Sequence, residues 1–256
     1  MRIRLLLIGV LAFVVVGSAG AGHAKQKLVR IVKRHGAITA TLTYSSPLDV
    51  KRIRLVVRRH GRVVLRHRVS DYGPQNPSLS FRFVAGTRVP AVVVDAYLSS
   101  AIVLVSPHVK WLERFWSRGG YRGRRVGGHY YFDATDGRFL CTFTSCANGW
   151  SPAQIWAIKH EQLANVTRAV PVLVRANAKR AWGWYLRSRR HRWRARGIGT
   201  LAGWCGDEFM LGRGPHCEHV LRQALKAGEL KSRTALSGHH FIRTLNRDLK
   251  RWGYKR

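Results

Sequence analysis

Residues 130–171, YYFDATDGRFLCTFTSCANGWSPAQIWAIKHEQLANVTRAVP, decide the fold. Upstream of this stretch apolar residues alternate with polar ones at period two, the mark of half-buried strands. Downstream they recur at i, i+3, i+4 and i+7, the mark of helices buried along one stripe. The stretch holds two of the four cysteines, an Asp-x-x-Asp-Gly turn at 133–137 and a His160-Glu161 pair. This change of period predicts an α+β protein. An antiparallel, strand-rich N-terminal half over residues 25–165 is followed by a helical subdomain of about four helices, 166–256, packed on it. Within the stretch, residues 130–132 and 139–144 are expected to form a hairpin around the turn, with a further strand over 151–158.

Upstream, strands are expected over 28–33, 37–44, 53–59, 62–69, 79–84 and 89–98. KRHG at 33–36 and RRHG at 58–61 each place a glycine at the end of a short polar turn between alternating runs, a hairpin signal. Ile53, Leu55 and Val57 then face a core, and Arg52, Arg54 and Arg58 face water. DYGPQNPS at 71–78 reads as a turn-rich loop. The continuous run Val92–Val94 reads as a central strand, and SRGGYRGRRVGG at 117–128 reads as a flexible Gly-Arg excursion. The whole half suggests a small sandwich or partly open barrel.

Downstream, Thr167 is a candidate helix cap and Pro171 falls in the tolerated first turn. Val170, Val174, Ala178, Ala181 and Tyr185 mark a helix to about Arg187, and SRRHRWRAR at 188–196 reads as a basic connector. Ile198, Leu201, Ala202, Cys205 and Phe209 mark a second helix, stopped by Gly212 and Gly214. Cys217, Val220, Leu221, Ala224 and Leu225 mark a third, stopped by Gly228. Phe241, Ile242, Leu245, Leu249 and Trp252 mark the last, stopped by Gly253.

The first 24 residues read as a secretory signal. Arg2 and Arg4 supply a positive start, an apolar run follows over 5–16, and small residues allow cleavage after Ala21 or Ala24. The run is shorter than the roughly 20 residues that span a bilayer, so the expectation is a chain that is secreted or otherwise extracytoplasmic, with no membrane span after cleavage. Four cysteines in an exported chain predict two disulfides. Antiparallel helices either side of the Gly212–Pro215 turn bring Cys205 near Cys217, leaving Cys141 with Cys146. Five extended residues would hold those last two about 16 Å apart, so their pairing requires the chain to turn within 142–145.

Charge narrows the function classes. Lys and Arg total 46 against 12 Asp and Glu, a net charge of +34, which falls to +32 once the leader with Arg2 and Arg4 is removed. Such a surface attracts anionic polymers or surfaces, whether nucleic acid, wall polymer or lipid head groups, largely without specificity. A bias of 35 Arg beside 11 Lys can come from GC-rich coding as easily as from selection for a ligand. Two runs concentrate the charge and are the candidate anion-binding residues: Arg122, Arg124 and Arg125 in the Gly-Arg segment, and Arg189, Arg190, Arg192 and Arg194 in the connector.

Catalytic and metal signatures fail on spacing. His160-Glu161 begins an HExxH pattern, but Ala164 stands where the second histidine belongs. Asp133 and Asp136 are too few oxygen ligands for a calcium loop. His216, His219, His239 and His240 lie near the cysteines without zinc-finger spacing. Asp207 and Glu208 are adjacent on a helix and point apart, a poor acid/base pair. Phosphate-loop, G-x-S-x-G and S-x-x-K motifs are missing. No catalytic residue, cofactor or metal is therefore expected. The leading reading is an exported noncatalytic protein that binds through its basic surface in the envelope or outside the cell. The alternative is a secreted hydrolase whose site is assembled from residues far apart in sequence.

Residues 130–254 resemble a group of secreted bacterial proteins of uncharacterised function. The likeness rests on DGRF (136–139), FTS (143–145), SPAQIW (151–156), NVTR (165–168), GTLAGW (199–204) and FMLG (209–212). In that group the upstream half is similar to FG-GAP/VCBS-type repeats, so the resemblance implies a degenerate repeat-built N-terminal half and a helical C-terminal region. It brings no catalytic residues.

Overall fold

The computed structural model describes residues 28–45, 51–69, 77–82, 90–96, 99–105, 108–116 and 121–255. The leader read over 1–24, the 71–76 part of the turn-rich loop and residues 117–120 lie outside them. The architecture is α+β: three four-stranded antiparallel sheets precede four helices. Each sheet is a simple meander. The first contains β1 (Leu28–His35), β2 (Ile38–Ser45), β3 (Lys51–Arg59) and β4 (Arg62–Arg68). The second contains β5 (Ser78–Arg82), β6 (Ala91–Ala96), β7 (Ser99–Leu104) and β8 (Lys110–Trp116). The third contains β9 (Arg122–Val126), β10 (His129–Thr135), β11 (Ala153–Lys159) and β12 (Gln162–Asn165). The helices are α1 (Pro171–Arg190), α2 (Arg194–Met210), α3 (Gly214–Lys226) and α4 (Gly238–Arg251). The chain divides into two compact units between Pro74 and Gln75.

In the first unit the period-two pattern produces one buried face. Ile38, Ala40 and Leu42 on β2 and Ile53, Leu55 and Val57 on β3 are buried, whereas Arg54, Arg59 and Arg62 reach solvent. His60 and Gly61, both at positive φ, close the β3–β4 hairpin in two residues, and Arg59 pairs with Arg62.

In the second unit the sheet β9–β12 is the middle layer. Phe132 and Ala134 on one face pack against Ala91, Val93, Ile102, Leu104 and Leu112 of the sheet β5–β8. Ala153, Ile155 and Ala157 on the other face pack against Val166, Val170 and Val174 at the start of α1. The apolar run at 92–94 follows from β6 being buried on both sides. Of the span expected as one strand over 89–98, Ala91–Ala96 is β6, residues 89, 97 and 98 lie outside the described residues, and β7 from Ser99 pairs with β6 antiparallel.

Residues 139–144 are not a strand, and β10 pairs with β9 and β11 instead. The Asp136 carboxylate accepts the Arg138 backbone N–H (3.0 Å), starting a 3-10 turn at Gly137–Phe139. Cys141 then takes φ +64, and its disulfide to Cys146 brings the two α-carbons to 4.2 Å, a reversal no strand makes. Phe139 and Phe143, four apart, both enter the helical core: Phe139 meets Trp252 and Tyr254, and Phe143 meets Phe241. The second disulfide joins Cys205 on α2 to Cys217 on α3, α-carbons 5.2 Å apart.

Three further boundaries differ from the sequence reading. The segment 121–128 is no excursion: Arg122–Val126 is β9, and Gly127-Gly128, both at positive φ, form the two-residue turn to β10. Gly123 has no side chain because the Tyr130 ring lies across it, the hydroxyl 2.0 Å from where a Cβ would stand. Thr167 does not cap α1. It donates to Asn165 Oδ1 (2.6 Å) and accepts the Ile155 N–H (2.9 Å), while Pro171 opens the helix behind an uncapped Val170. The basic connector 188–196 is mostly helix: α1 continues to Arg190 and α2 starts at Arg194, leaving only three residues between them.

Candidate anion-binding groove

The turn from α1 to α2 is built by a Schellman cap. Trp193 N–H donates to Ser188 O (2.8 Å) and Arg192 N–H to Arg189 O (3.1 Å), with Arg192 at φ +57. The other three helices end in the same pair of bonds, and in each the left-handed residue is glycine: Gly212, Gly228 and Gly253. Only α1 places an arginine there. A left-handed backbone costs a residue with a Cβ roughly 1 kcal/mol or more, so local stability does not select arginine at this position.

Around that turn the structure gathers positive charge. A groove of about 690 Å³ is lined by Arg192, Arg194, Arg196, Lys231 and Arg233, with Trp193 among them and no carboxylate. Among the described residues none of these five cations makes an ion pair. Arg194 and Arg196 sit in the first turn of α2, which contains no acidic residue and no side-chain cap. Cations are unfavourable at a helix N-terminus by about 0.3–1 kcal/mol each, and an anion placed there reverses the sign. Arg194 N–H turns back to Arg192 O (2.9 Å), which leaves the amides of Ala195 and Arg196 without a backbone partner.

Aromatic rings fix the guanidinium groups. Arg196 lies over Trp193 (5.0 Å) and Trp184 (5.8 Å), Arg187 lies over Trp184 (4.7 Å), and His191 stacks on Trp193 (4.7 Å). These rings are engaged by the protein's own cations, so they serve as supports for charge. A second cavity of about 390 Å³ opens from the same turn and shares Arg192, Trp193 and Arg194 with the groove. Its walls include Tyr185, Ser188, Arg189 and Glu229. Glu229 is engaged on both oxygens: Arg189 Nε binds Oε1 (2.8 Å) and the Tyr185 hydroxyl donates to Oε2. Burial, reinforced by Glu229, raises the Tyr185 phenol above its ordinary value and keeps it a donor.

The candidate residues read from sequence divide between two places. Arg192 and Arg194 line both cavities, Arg189 is committed to Glu229, and Arg190 is exposed on the last turn of α1 without lining either. Arg122, Arg124 and Arg125 lie on β9 and line neither cavity. Arg124 approaches Asp133 (3.6 Å), and Arg122 and Arg124 share the sheet face of Asp133 while Arg125, opposite Tyr130, takes the other face. Arg196, Lys231 and Arg233 were missing from the sequence candidates. Lys231-Ser-Arg-Thr lies beyond the Gly228 stop and resembles any solvated loop until the fold brings it beside α2.

Among the described residues the buried acids Asp207, Asp136 and Glu208 have structural partners. Asp207 is fully buried, accepts Ala153 N–H (2.8 Å) and the Asn177 side-chain amide (2.8 Å), and so ties α2 to β11 and α1. Burial raises its carboxyl well above the usual range, outweighing those two hydrogen bonds. Asp136 takes Arg138 and the Tyr254 hydroxyl (2.8 Å), joining the 3-10 turn to the C-terminus. Glu208 points away from Asp207 to Arg213 (2.5 Å) and His216 Nδ1 (2.9 Å). All four cysteines are in disulfides and hold no metal. Compared with protein families, with curated proteins and with solved structures, the chain matches none.

Proposed function

We propose that this is an exported, noncatalytic binding protein that holds an anionic polymer in the groove at the α1–α2 turn. The observation that carries the reading is the set Arg192, Arg194, Arg196, Lys231 and Arg233, five cations lining one groove with no counter-charge. Two disulfides favour an oxidising compartment, and among the described residues no helix is long and apolar enough to cross a membrane. Three successive four-stranded meanders support the accompanying proposal that the strand-rich half derives from FG-GAP/VCBS-like repeats. The polymer is read chiefly through its backbone charge; Trp184 and Trp193 each carry an arginine or histidine on the ring yet keep 36% and 43% of their surface exposed, so they border the cations without being closed off.

The test separates the groove from the general charge of the chain. Five-fold replacement of the groove cations by glutamine is compared with a charge-matched variant altered at Arg30, Arg34, Arg54, Arg59 and Arg62, all exposed on the first sheet. Binding of a single-stranded oligothymidylate is followed against salt. Five phosphate contacts give a slope of log K on log salt of about −3.5. The groove variant should lose most of that slope and the sheet variant little. Equal losses would refute the reading in favour of diffuse attraction. A second reading, a secreted hydrolase, rests on Glu208 holding the half-exposed His216 ring. It requires that any phosphodiester or ester hydrolysis by the protein disappear in His216→Ala.

A further inference from the structure

The inner cavity has a feature the outer groove does not need. Ser188, on the last turns of α1, is 2% exposed, lines the cavity, and its Oγ has no hydrogen-bond partner among the described residues. A buried hydroxyl left unsatisfied costs about 1–3 kcal/mol. Packing explains why the residue is small: a Cβ on Gly197 would come within 3.7 Å of the Ser188 Cβ, so α1 and α2 cross closely here. Alanine would meet that demand without burying an unpaired oxygen. Among the described residues Thr41, Ser80, Thr144 and Trp150 also bury an unpaired polar atom, and Ser188 differs from them in lining a cavity that holds unpaired cations.

The surrounding charges say what kind of group would pair with the hydroxyl. Arg192 and Arg194 belong to both cavities and make no ion pair among the described residues. Glu229, the carboxylate in the wall, is balanced by Arg189 and Tyr185. The site thus offers two unpaired guanidinium forks and one hydroxyl donor to an anion. A carboxylate sets its acceptor sites in one plane, whereas a phosphate group spreads its oxygens tetrahedrally and suits donors that converge from three separate residues. We propose that the inner cavity is a subsite for one phosphate group, held by Ser188 Oγ–H, Arg192 and Arg194, and that polymer in the outer groove places a phosphate there. This rests on the reading of the outer groove as a polyanion site, and it identifies the polymer as phosphate-bearing.

The probe is inorganic phosphate, substituted for chloride at constant ionic strength, with binding read by isothermal titration and by the melting temperature of the full chain. Wild-type protein is expected to bind saturably with a rise in melting temperature, Ser188→Ala to bind about tenfold more weakly, and Arg194→Gln to lose binding to a similar or greater degree. Without phosphate, Ser188→Ala should melt at or above the wild-type temperature, because it removes an unpaired buried oxygen. Equal phosphate affinity in Ser188→Ala and wild type, or a wild-type response that never saturates, overturns the subsite. If oligothymidylate binding depends on the groove cations while phosphate binding ignores Ser188, the subsite falls and the groove reading stands. If phosphate binding needs Ser188 while the groove variant keeps its polymer, the groove reading falls and the cavity is a site for a small phosphorylated molecule.

Discussion

Gly203→Ala and Gly183→Ala are the same chemical change on two helices, and the structure assigns them opposite signs. In an exposed helix interior, replacing glycine by alanine gains about 1 kcal/mol. Gly183 on α1 is exposed and a Cβ there meets nothing within 4 Å, so the full gain applies. A Cβ on Gly203 of α2 would stand 2.6 Å from the Trp150 carbonyl oxygen and 2.7 Å from Trp150 Cδ1. Ordinary contact near 3.5 Å requires the 150 backbone to retreat by roughly 1 Å. That backbone is held on both sides: Gly149 N–H bonds to Ser145 O (3.0 Å), and Pro152 O accepts Asp136 N–H (2.9 Å) while its ring covers Gly206. A clash with fixed backbone falls in the upper part of the usual overpacking range, about 2–3 kcal/mol, and subtracting the helix gain leaves a net loss of about 1–2 kcal/mol. At about 2–4 °C per kcal/mol for a unit of this size, Gly203→Ala should lower the melting temperature by about 2–8 °C and Gly183→Ala should raise it by about 2–4 °C. Calorimetric or circular-dichroism melts of the three proteins decide. A Gly203→Ala protein as stable as wild type would refute the close seating of the 141–152 loop on α2.

Other substitutions test separate parts of the argument. Arg192→Gly restores the residue used at the other three helix ends; it should stabilise the fold by about 1 kcal/mol while weakening oligothymidylate binding, as read by paired melts and titrations. Asp207, with its folded value raised above its unfolded one, contributes stability that is complete below the unfolded value and is lost as pH rises through the folded one. The stability of wild type relative to Asp207→Asn, from urea titrations, should accordingly decline as pH rises from about 4 toward neutrality. Removing the Cys205–Cys217 bond, which spans 12 positions, should cost roughly 3 kcal/mol, measured as the shift in denaturation midpoint of Cys205→Ala/Cys217→Ala.

The sequence was most informative where one physical demand acts on many residues at once. Burial of one sheet face shows in Ile53, Leu55 and Val57, and burial of one helix stripe in Phe241, Leu245 and Leu249. The helix stops at Gly212, Gly228 and Gly253 were legible because glycine is the cheapest left-handed residue. The end of α1 was misread for the same reason, since its stop is an arginine. Residues 139–144 carry strand-like composition, but a short-range disulfide and two phenylalanines committed to the helical core override it. Of the groove, Arg192 and Arg194 were legible as a charge run, Arg196 closes that same run without having been picked out as a candidate, and Lys231 and Arg233 join only through tertiary folding. Ser188 gave no signal at all, because the absence of a partner is a property of the packed state.

Unpaired charge and an unsatisfied buried group together locate the site better than either alone, since among the described residues Thr41, Ser80, Thr144 and Trp150 also bury unpaired polar atoms away from the groove. A chain with 46 basic residues offers arginine everywhere, so an arginine patch by itself decides little. Among the described residues the buried acids are all accommodated: Asp136 by Arg138 and Tyr254, Asp207 by Ala153 and Asn177, Glu208 by Arg213 and His216, and Asp248 by Arg247 and Arg251. At the α1–α2 turn three local preferences fail within nine residues. Ser188 buries a hydroxyl without a partner, Arg192 occupies a glycine position, and Arg194 with Arg196 set cations on a helix N-terminus. Each departure costs stability in the free protein, and one bound anion relieves two of them, by pairing the hydroxyl and by neutralising the helix end. Folded proteins concentrate such departures where function requires them. Variants removing these departures singly should therefore gain stability as they lose affinity, a coupling that an accidental cluster of surface charge would not produce.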